Sequence, residues 1–195
     1  LLNGVIHLPH THIPAKNSFS WGQPKHGKEK ADALNEIIDF HGKETIAAVI
    51  VEPIAGSTGV LVPPQGYLEK LRKICSENDI LLIFDEVITG FGRVGASFAS
   101  NRFGVYPDII TLAKGITNAT VPMGAVGVSS DIYNTIYNKN KEKIELFHGY
   151  TYSGHPLACA AGLATLEVYE EEKLFERAKS LEKHFGNAAH SLTKL

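Results

Sequence analysis

The sequence predicts an α/β fold, with a mostly parallel sheet and helices on both of its faces. Three observations carry that expectation. Residues 46–51 (Ile-Ala-Ala-Val-Ile-Val) and 80–84 (Ile-Leu-Leu-Ile-Phe) are apolar runs of strand length, and their unbroken character predicts strands covered on both faces. Between them, Tyr67, Leu68, Leu71 and Ile74 recur at helical spacing within residues 66–78, which gives strand, helix, strand. Two more short strands follow at 108–112 and 124–128, and from Pro156 the chain becomes Ala-rich helix.

The remaining elements follow in order. Residues 1–27 are rich in Pro, His, Asn and Gly and are expected to be mostly extended loop, broken at Pro9, Pro14 and Pro24. Ala31, Leu34, Ile37 and Ile38 then mark an amphipathic helix across 28–40, with His41-Gly42 as its stop. The strand at 80–84 ends abruptly in Asp85-Glu86, and the strand at 108–112 runs into Lys114-Gly115. A last helix is expected near Leu174, after Glu170-Glu171-Glu172. A length of 195 residues suits one sizeable core, or one domain and the start of a second.

Composition narrows the function classes. With 44% apolar and 21% charged residues, the chain has ordinary globular usage rather than that of a disordered protein. Its apolar runs are far too short to span a bilayer, so no membrane partner is expected. A net charge of −2 with scattered Lys and Arg leaves no footprint for nucleic acid, which favours a small-molecule partner. Cys75 and Cys159 are far apart and lack Cys-x-x-Cys spacing, so neither a disulfide nor a zinc site is indicated, and a reducing, cytoplasmic compartment is expected. His10-x-His12, with His7 or His26 nearby, is the one metal candidate. No carboxylate or Cys lies at ligand spacing and a Pro-rich loop frames it poorly, so no metal is expected. The chain begins at Leu1 and stops at Leu195 without start or stop signals, which reads as a fragment cut at both ends.

Ligands of open α/β sheets bind beyond the carboxyl ends of the strands. Asp85, Lys114 and Glu52-Pro53 all sit just after expected strands. Singly, such an Asp is a turn or cap residue and such a Lys a solvated one. Together they supply an amine for a cofactor aldehyde and a carboxylate to keep a pyridine nitrogen protonated. The glycines at 90, 92 and 95 do not form a phosphate loop, because no G-x-x-x-x-G-K-[ST] pattern is present.

Residues 84–93 (Phe-Asp-Glu-Val-Ile-Thr-Gly-Phe-Gly-Arg) followed by 111–115 (Thr-Leu-Ala-Lys-Gly) resemble the paired signature of the class III pyridoxal-phosphate-dependent aminotransferases. Residues 51–60, 122–126 and 148–156 fit the same family, so the resemblance covers nearly the whole chain. Within the class the chain looks most like ω-amino-acid:pyruvate (β-alanine:pyruvate) aminotransferases. The features behind this are Gly56-Ser57-Thr58-Gly59, Thr117-Asn118 before Pro122-Met123-Gly124, and Leu8-Pro9-His10-Thr11-His12. Ornithine-type members carry a glutamate in the 56–59 segment and many relatives have Gln where this chain has Ile88. The aminomutase branch has a Gly-rich run after its lysine, where this chain reads Ile116-Thr117-Asn118-Ala119-Thr120.

The resemblance implies a fold-type-I large domain over residues 1–162, with the start of the C-terminal small domain at 163–195. It implies pyridoxal 5'-phosphate as cofactor, with Lys114 as its Schiff-base lysine and proton shuttle. Asp85 would pair with the pyridinium nitrogen and Val87 pack on one ring face. Thr151 would donate its hydroxyl to the cofactor phosphate of a neighbouring subunit, in a homodimer or homotetramer; a loop Thr satisfied by local backbone is the other reading. Glu52 resembles a site-edge carboxylate, with a structural role at the strand end as its alternative. The implied reaction is transfer of the amino group of an ω-amino acid such as β-alanine to pyruvate. Class III alternatives use 4-aminobutyrate, taurine or a diamine, and a non-catalytic fragment is the competing reading from another class.

Overall fold

A computed structural model describes residues 3–139 and 146–194. Leu1 and Leu195, the ends on which the fragment reading rests, lie outside the described residues. The chain divides into two compact units, Leu1–Leu82 with Glu182–Leu195, and Ile83–Leu181.

In the first unit, the Pro-rich opening segment contains one helical turn, α1 (Pro14–Asn17). Pro14 stands at the first helical position, where its missing N–H removes no bond. A 3-10 turn, Lys28–Asp32, leads into α2 (Ala33–His41), which closes at Gly42 with φ 80°, the expected stop. Strand β1 (Ala48–Val51), helix α3 (Tyr67–Glu77) and strand β2 (Leu81–Asp85) follow. The Leu81 N–H donates to the Ala47 carbonyl at 3.2 Å, which joins β2 to the start of β1. Leu68, Leu71, Ile74 and Cys75 form the buried stripe of α3, which packs on α2 and the 3-10 turn with Leu34 and Ala31.

One expectation changes here. The unbroken apolar run predicts cover on both faces of β1, yet Val49 is 8% exposed and Ile50 62%. On the face opposite Val49, Ala48 is half-buried and Ile50 open, so β1 behaves as a half-buried strand. In the closing segment of this unit, His190 packs against Trp21 with ring centroids 4.6 Å apart and planes tilted by 40°. Gly186 lets the indole approach, since a Cβ there would meet Trp21 at 2.8 Å.

The second unit takes up β2 from Ile83. It continues with α4 (Ala99–Phe103), β3 (Ile109–Leu112), a 3-10 turn Lys114–Thr117, and β4 (Ala125–Val128). Then come α5 (Ser130–Lys139), α6 (Pro156–Glu171) and the first part of α7 (Leu174–Ser191). Strands β2 and β3 pair in parallel, with Ile83, Phe84 and Asp85 opposite Ile109, Ile110 and Thr111. Strand β4 reverses, pairing antiparallel with β3 from Ile109↔Val128 to Leu112↔Ala125. Lys173, with φ 50°, breaks α6 from α7 where the acidic stretch marks a boundary. Among the described residues no helix is long and apolar enough to cross a membrane.

Helices α4 and α5 are absent from the sequence reading, and α4 has a local cause. Its first amides find their acceptor in a residue far back along the chain. Glu86 is fully buried, and its Oε2 accepts the Thr89 hydroxyl at 2.8 Å and the Ala99 N–H at 2.7 Å. Its Oε1 accepts the Ser100 N–H at 2.8 Å. Phe98 at the cap position offers no side-chain acceptor of its own, so the orphan N–H groups of α4 depend on this carboxylate.

Replacing Glu86 by Ala should strand two amides and a hydroxyl in a dry site. The expected loss is on the order of 3 kcal/mol, read as a lower urea midpoint. Glu86→Gln retains one carbonyl acceptor and should fall between the two. An unchanged midpoint in the Ala variant would remove this role for Glu86.

Candidate active site

The parallel pairing of β2 with β3 decides where the chemistry-bearing residues lie. Asp85 is the last residue of β2 and stands opposite Thr111. The ladder runs one residue further, because the Glu86 N–H donates to the Thr111 carbonyl at 3.0 Å. Lys114 follows two residues after β3 ends. Parallel strands share one carboxyl edge, and hydrogen-bonded neighbours lie about 4.8 Å apart. The carboxylate and the amine therefore leave adjacent strands at the same edge of the sheet. Asp85 is half-buried and Lys114 exposed.

The last residue of β2 and the one after it divide the work. The Asp85 side chain turns to the loop, where its Oδ1 accepts the Val87 N–H at 3.1 Å. Glu86 turns into the core to cap α4. This turn, and not strand alternation, places Val87. The extended backbone ends at Asp85 and the Gly90 N–H already closes back on the Glu86 carbonyl at 2.9 Å, so the two-residue alternation of a strand does not reach Val87. Val87 is half-buried beside the Asp85 carboxylate that its amide holds.

Lys114 has φ 48°, in the left-handed region that costs a residue with a Cβ about 1–2 kcal/mol. Its surroundings hold it there. The Ala119 N–H donates to the Lys114 carbonyl at 2.9 Å and the Ile116 N–H to the Ala113 carbonyl at 3.2 Å. Beneath the turn, Ile116 and Thr117 are buried, and the Thr117 hydroxyl donates to the Val121 carbonyl at 2.6 Å. Gly115 is the residue the turn requires, because a Cβ on it would stand 2.6 Å from Cβ of Phe91. Strain of this kind, sustained by packing, accumulates at functional positions.

The remaining candidates lie elsewhere. Thr151 is exposed on a turn closed by the Ser153 N–H on the Tyr150 carbonyl at 3.0 Å, and no described residue hydrogen-bonds its hydroxyl. Glu52 belongs to the first unit. Its Oε2 accepts the Gly56 N–H at 3.0 Å, at the base of a loop pinned by the Ala55–Leu61 bridge, which is a structural duty at the strand end. Among the described residues no group of three or more His, Cys, Asp or Glu could hold a metal ion. Phe91, Gly115 and Tyr169 escaped the sequence reading as supports of the Lys114 turn. Tyr169 lies 54 positions from the carbonyl it binds, and no spacing rule reaches that far.

Known proteins similar to this chain place it in a family. The model of the aminotransferase class-III family matches residues 4–194. An omega-aminotransferase of Caulobacter vibrioides is 63% identical over 192 residues, which cover 98% of this chain and 44% of that protein. An omega-amino acid–pyruvate aminotransferase of Pseudomonas putida is 50% identical over 194 residues, 98% of this chain and 43% of that protein. Among solved structures, the omega transaminase of Pseudomonas jessenii in complex with PMP superposes with a TM-score of 0.80 at 39% identity. That superposition covers 90% of this chain and 39% of that one. The chain thus spans less than half the length of the relatives it matches. With its mixed α/β architecture and its mostly parallel sheet, it belongs to the class III aminotransferases.

Proposed function

We propose that this chain forms the cofactor-holding part of a pyridoxal-phosphate-dependent transaminase that moves the amino group of an ω-amino acid, such as β-alanine, to pyruvate. One observation supports it above the others: a carboxylate and a lysine leave neighbouring parallel strands at one edge, the lysine on a strained, braced turn. This donor set fits the cofactor, because an aldehyde requires an amine and a pyridine nitrogen requires an anionic partner. The printed names of the Caulobacter and Pseudomonas putida relatives point to the same substrate class.

Bound pyridoxal phosphate supplies an aldehyde carbon and a protonated ring that accepts the electron pair left when a substrate carbon loses its proton. In this reading Lys114 Nζ would hold the cofactor through its aldehyde and, as a free amine, would take and return the substrate proton as a general base and acid. The Asp85 carboxylate holds the proton on the ring nitrogen, and the Val87 N–H keeps that carboxylate oriented. Val87 packs on one ring face. Thr151 donates its hydroxyl to the phosphate of a neighbouring subunit, so its exposure here suits a site completed in a homodimer or homotetramer. Glu52 is carried as a substrate-side carboxylate by its resemblance to the family's residue at that position. Residues 1–162 belong to the large domain and 163–195 open the small one. A cytoplasmic location agrees with Cys75 and Cys159, neither of which forms a disulfide among the described residues.

In the longest natural polypeptide that carries this sequence, pyridoxal phosphate should give a yellow band that borohydride fixes onto Lys114. Mass spectrometry that finds Lys114 unlabelled would reject the reading in favour of a non-catalytic chain. Asp85→Asn should weaken cofactor retention by about 2 kcal/mol, or roughly thirtyfold, discounted from a fully buried pair because Asp85 is only half-buried. Dialysis against buffer should empty that variant first, and equal retention would dismiss Asp85 as the ring partner. With pyruvate as acceptor, β-alanine should outpace 4-aminobutyrate, taurine and ornithine. A preference for ornithine with 2-oxoglutarate would overturn the substrate class.

A further inference from the structure

The left-handed turn at Lys114 is braced from a helix that none of the roles above uses. Helix α6 turns one face inward: Ala158, Gly162, Thr165 and Tyr169, at helical spacing, are buried or half-buried, with Cys159 and Ala161 half-buried at its margins. The helix packs on the turn Lys114–Thr117. At Gly162 the helix lies against the turn, where a Cβ would make ordinary contacts, 3.6 Å from the Ile116 carbonyl and 3.5 Å from the Met123 sulfur. Two helical turns on, the Tyr169 hydroxyl donates to the Gly115 carbonyl at 2.7 Å. The other donor to that oxygen is the Asn118 N–H, at 3.3 Å.

Tyr169 is itself held in place. Its ring stacks on Phe91 with centroids 6.1 Å apart and planes 19° from parallel, and Phe175 lies 5.2 Å away on centroids. Phe91 is also the residue against which Gly115 closes. Gly115 is therefore gripped twice, by Phe91 at its Cα and by the phenol at its carbonyl. Burial raises the Tyr169 pKa above that of a free phenol, with the charge of Arg93 pulling the other way. The hydroxyl keeps its proton at neutral pH and remains a donor.

We infer that Tyr169 is a positioning residue for Lys114: by holding the Gly115 carbonyl it keeps the preceding residue in its left-handed conformation and so directs the lysine side chain toward the carboxyl edge of the sheet. The inference rests on Lys114 being the cofactor lysine. A neutral hydrogen bond and the strain of one left-handed residue are of the same order, so a single bond shifts the population of the strained turn several-fold. Without the phenol, the Gly115 peptide keeps only the longer bond from Asn118, and the turn can relax.

The test follows the rate and the pH dependence with which pyridoxal phosphate becomes borohydride-fixable on Lys114. Parent, Tyr169→Phe and Tyr67→Phe are compared in the longest natural polypeptide, at a temperature where thermal scans show all three folded. Tyr67→Phe removes another buried phenol, on α3, and controls for a loss of stability alone. Tyr169→Phe should slow labelling roughly five- to tenfold, the factor that one ordinary hydrogen bond controls, and shift its pH midpoint. Tyr67→Phe should do neither. Should Tyr169→Phe fail to fold, Phe91→Leu loosens the ring but keeps the hydroxyl, and should slow labelling by a smaller factor. Labelling at the parent's rate and midpoint in whichever variant folds overturns the inference. A label that lands on another lysine in the parent itself overturns the Lys114 reading, and this inference with it, before any variant is made.

Discussion

The parallel pairing of β2 with β3 is the constraint on which the rest depends. Opposing Asp85 to Thr111 brings the ends of both strands to one level, and the Glu86–Thr111 hydrogen bond carries the ladder one residue beyond. In a strand, a slip of one residue sends every side chain to the opposite face. Such a slip would exchange Asp85 with Glu86, putting the cap of α4 in the loop and the loop carboxylate in the core. The register that satisfies the buried amides of α4 is thus the same one that presents Asp85 at the edge.

A second constraint acts on the lysine. A residue with a Cβ held at φ 48° needs support from outside its own turn, and this fold supplies it from two directions. Phe91, on the loop after β2, leaves no room for a side chain at position 115. Tyr169, on α6, binds the carbonyl of the same residue. The two rings stack on each other, so the brace is one aromatic cluster assembled from segments far apart in sequence.

The residues in contact explain what was legible beforehand. The four strands, α3 and the start of α7 follow from apolar runs and helical spacing, and each is found within a residue or two of the expected limits. Asp85 and Lys114 stand out as candidates because their neighbours repeat a family signature, and their shared sheet edge follows from the strand limits. Helix α4 is not, since five residues carry no periodicity and its stability comes from Glu86, thirteen positions before Ala99. The exposure of Ile50 has a different cause. An apolar run shows that a strand can be covered on both faces, and says nothing about whether the described residues supply both covers. Tyr169 was hidden for the same reason as α4: its partner is set by packing, at a separation no local pattern encodes.

The reversal of β4 sorts the second unit into two ends with different tolerances. Because β4 runs back along β3, the chain leaves it at Ser129, whose N–H donates to the Asp108 carbonyl at 2.8 Å, beside the entrance of β3. That is the amino edge of the sheet, the full length of a strand away from the lysine turn. Ser129 also starts α5, its hydroxyl oxygen accepting the Ile132 N–H at 3.4 Å and its carbonyl the Tyr133 N–H at 3.0 Å, so a change at this end acts on the seating of that helix and leaves the opposite rim alone.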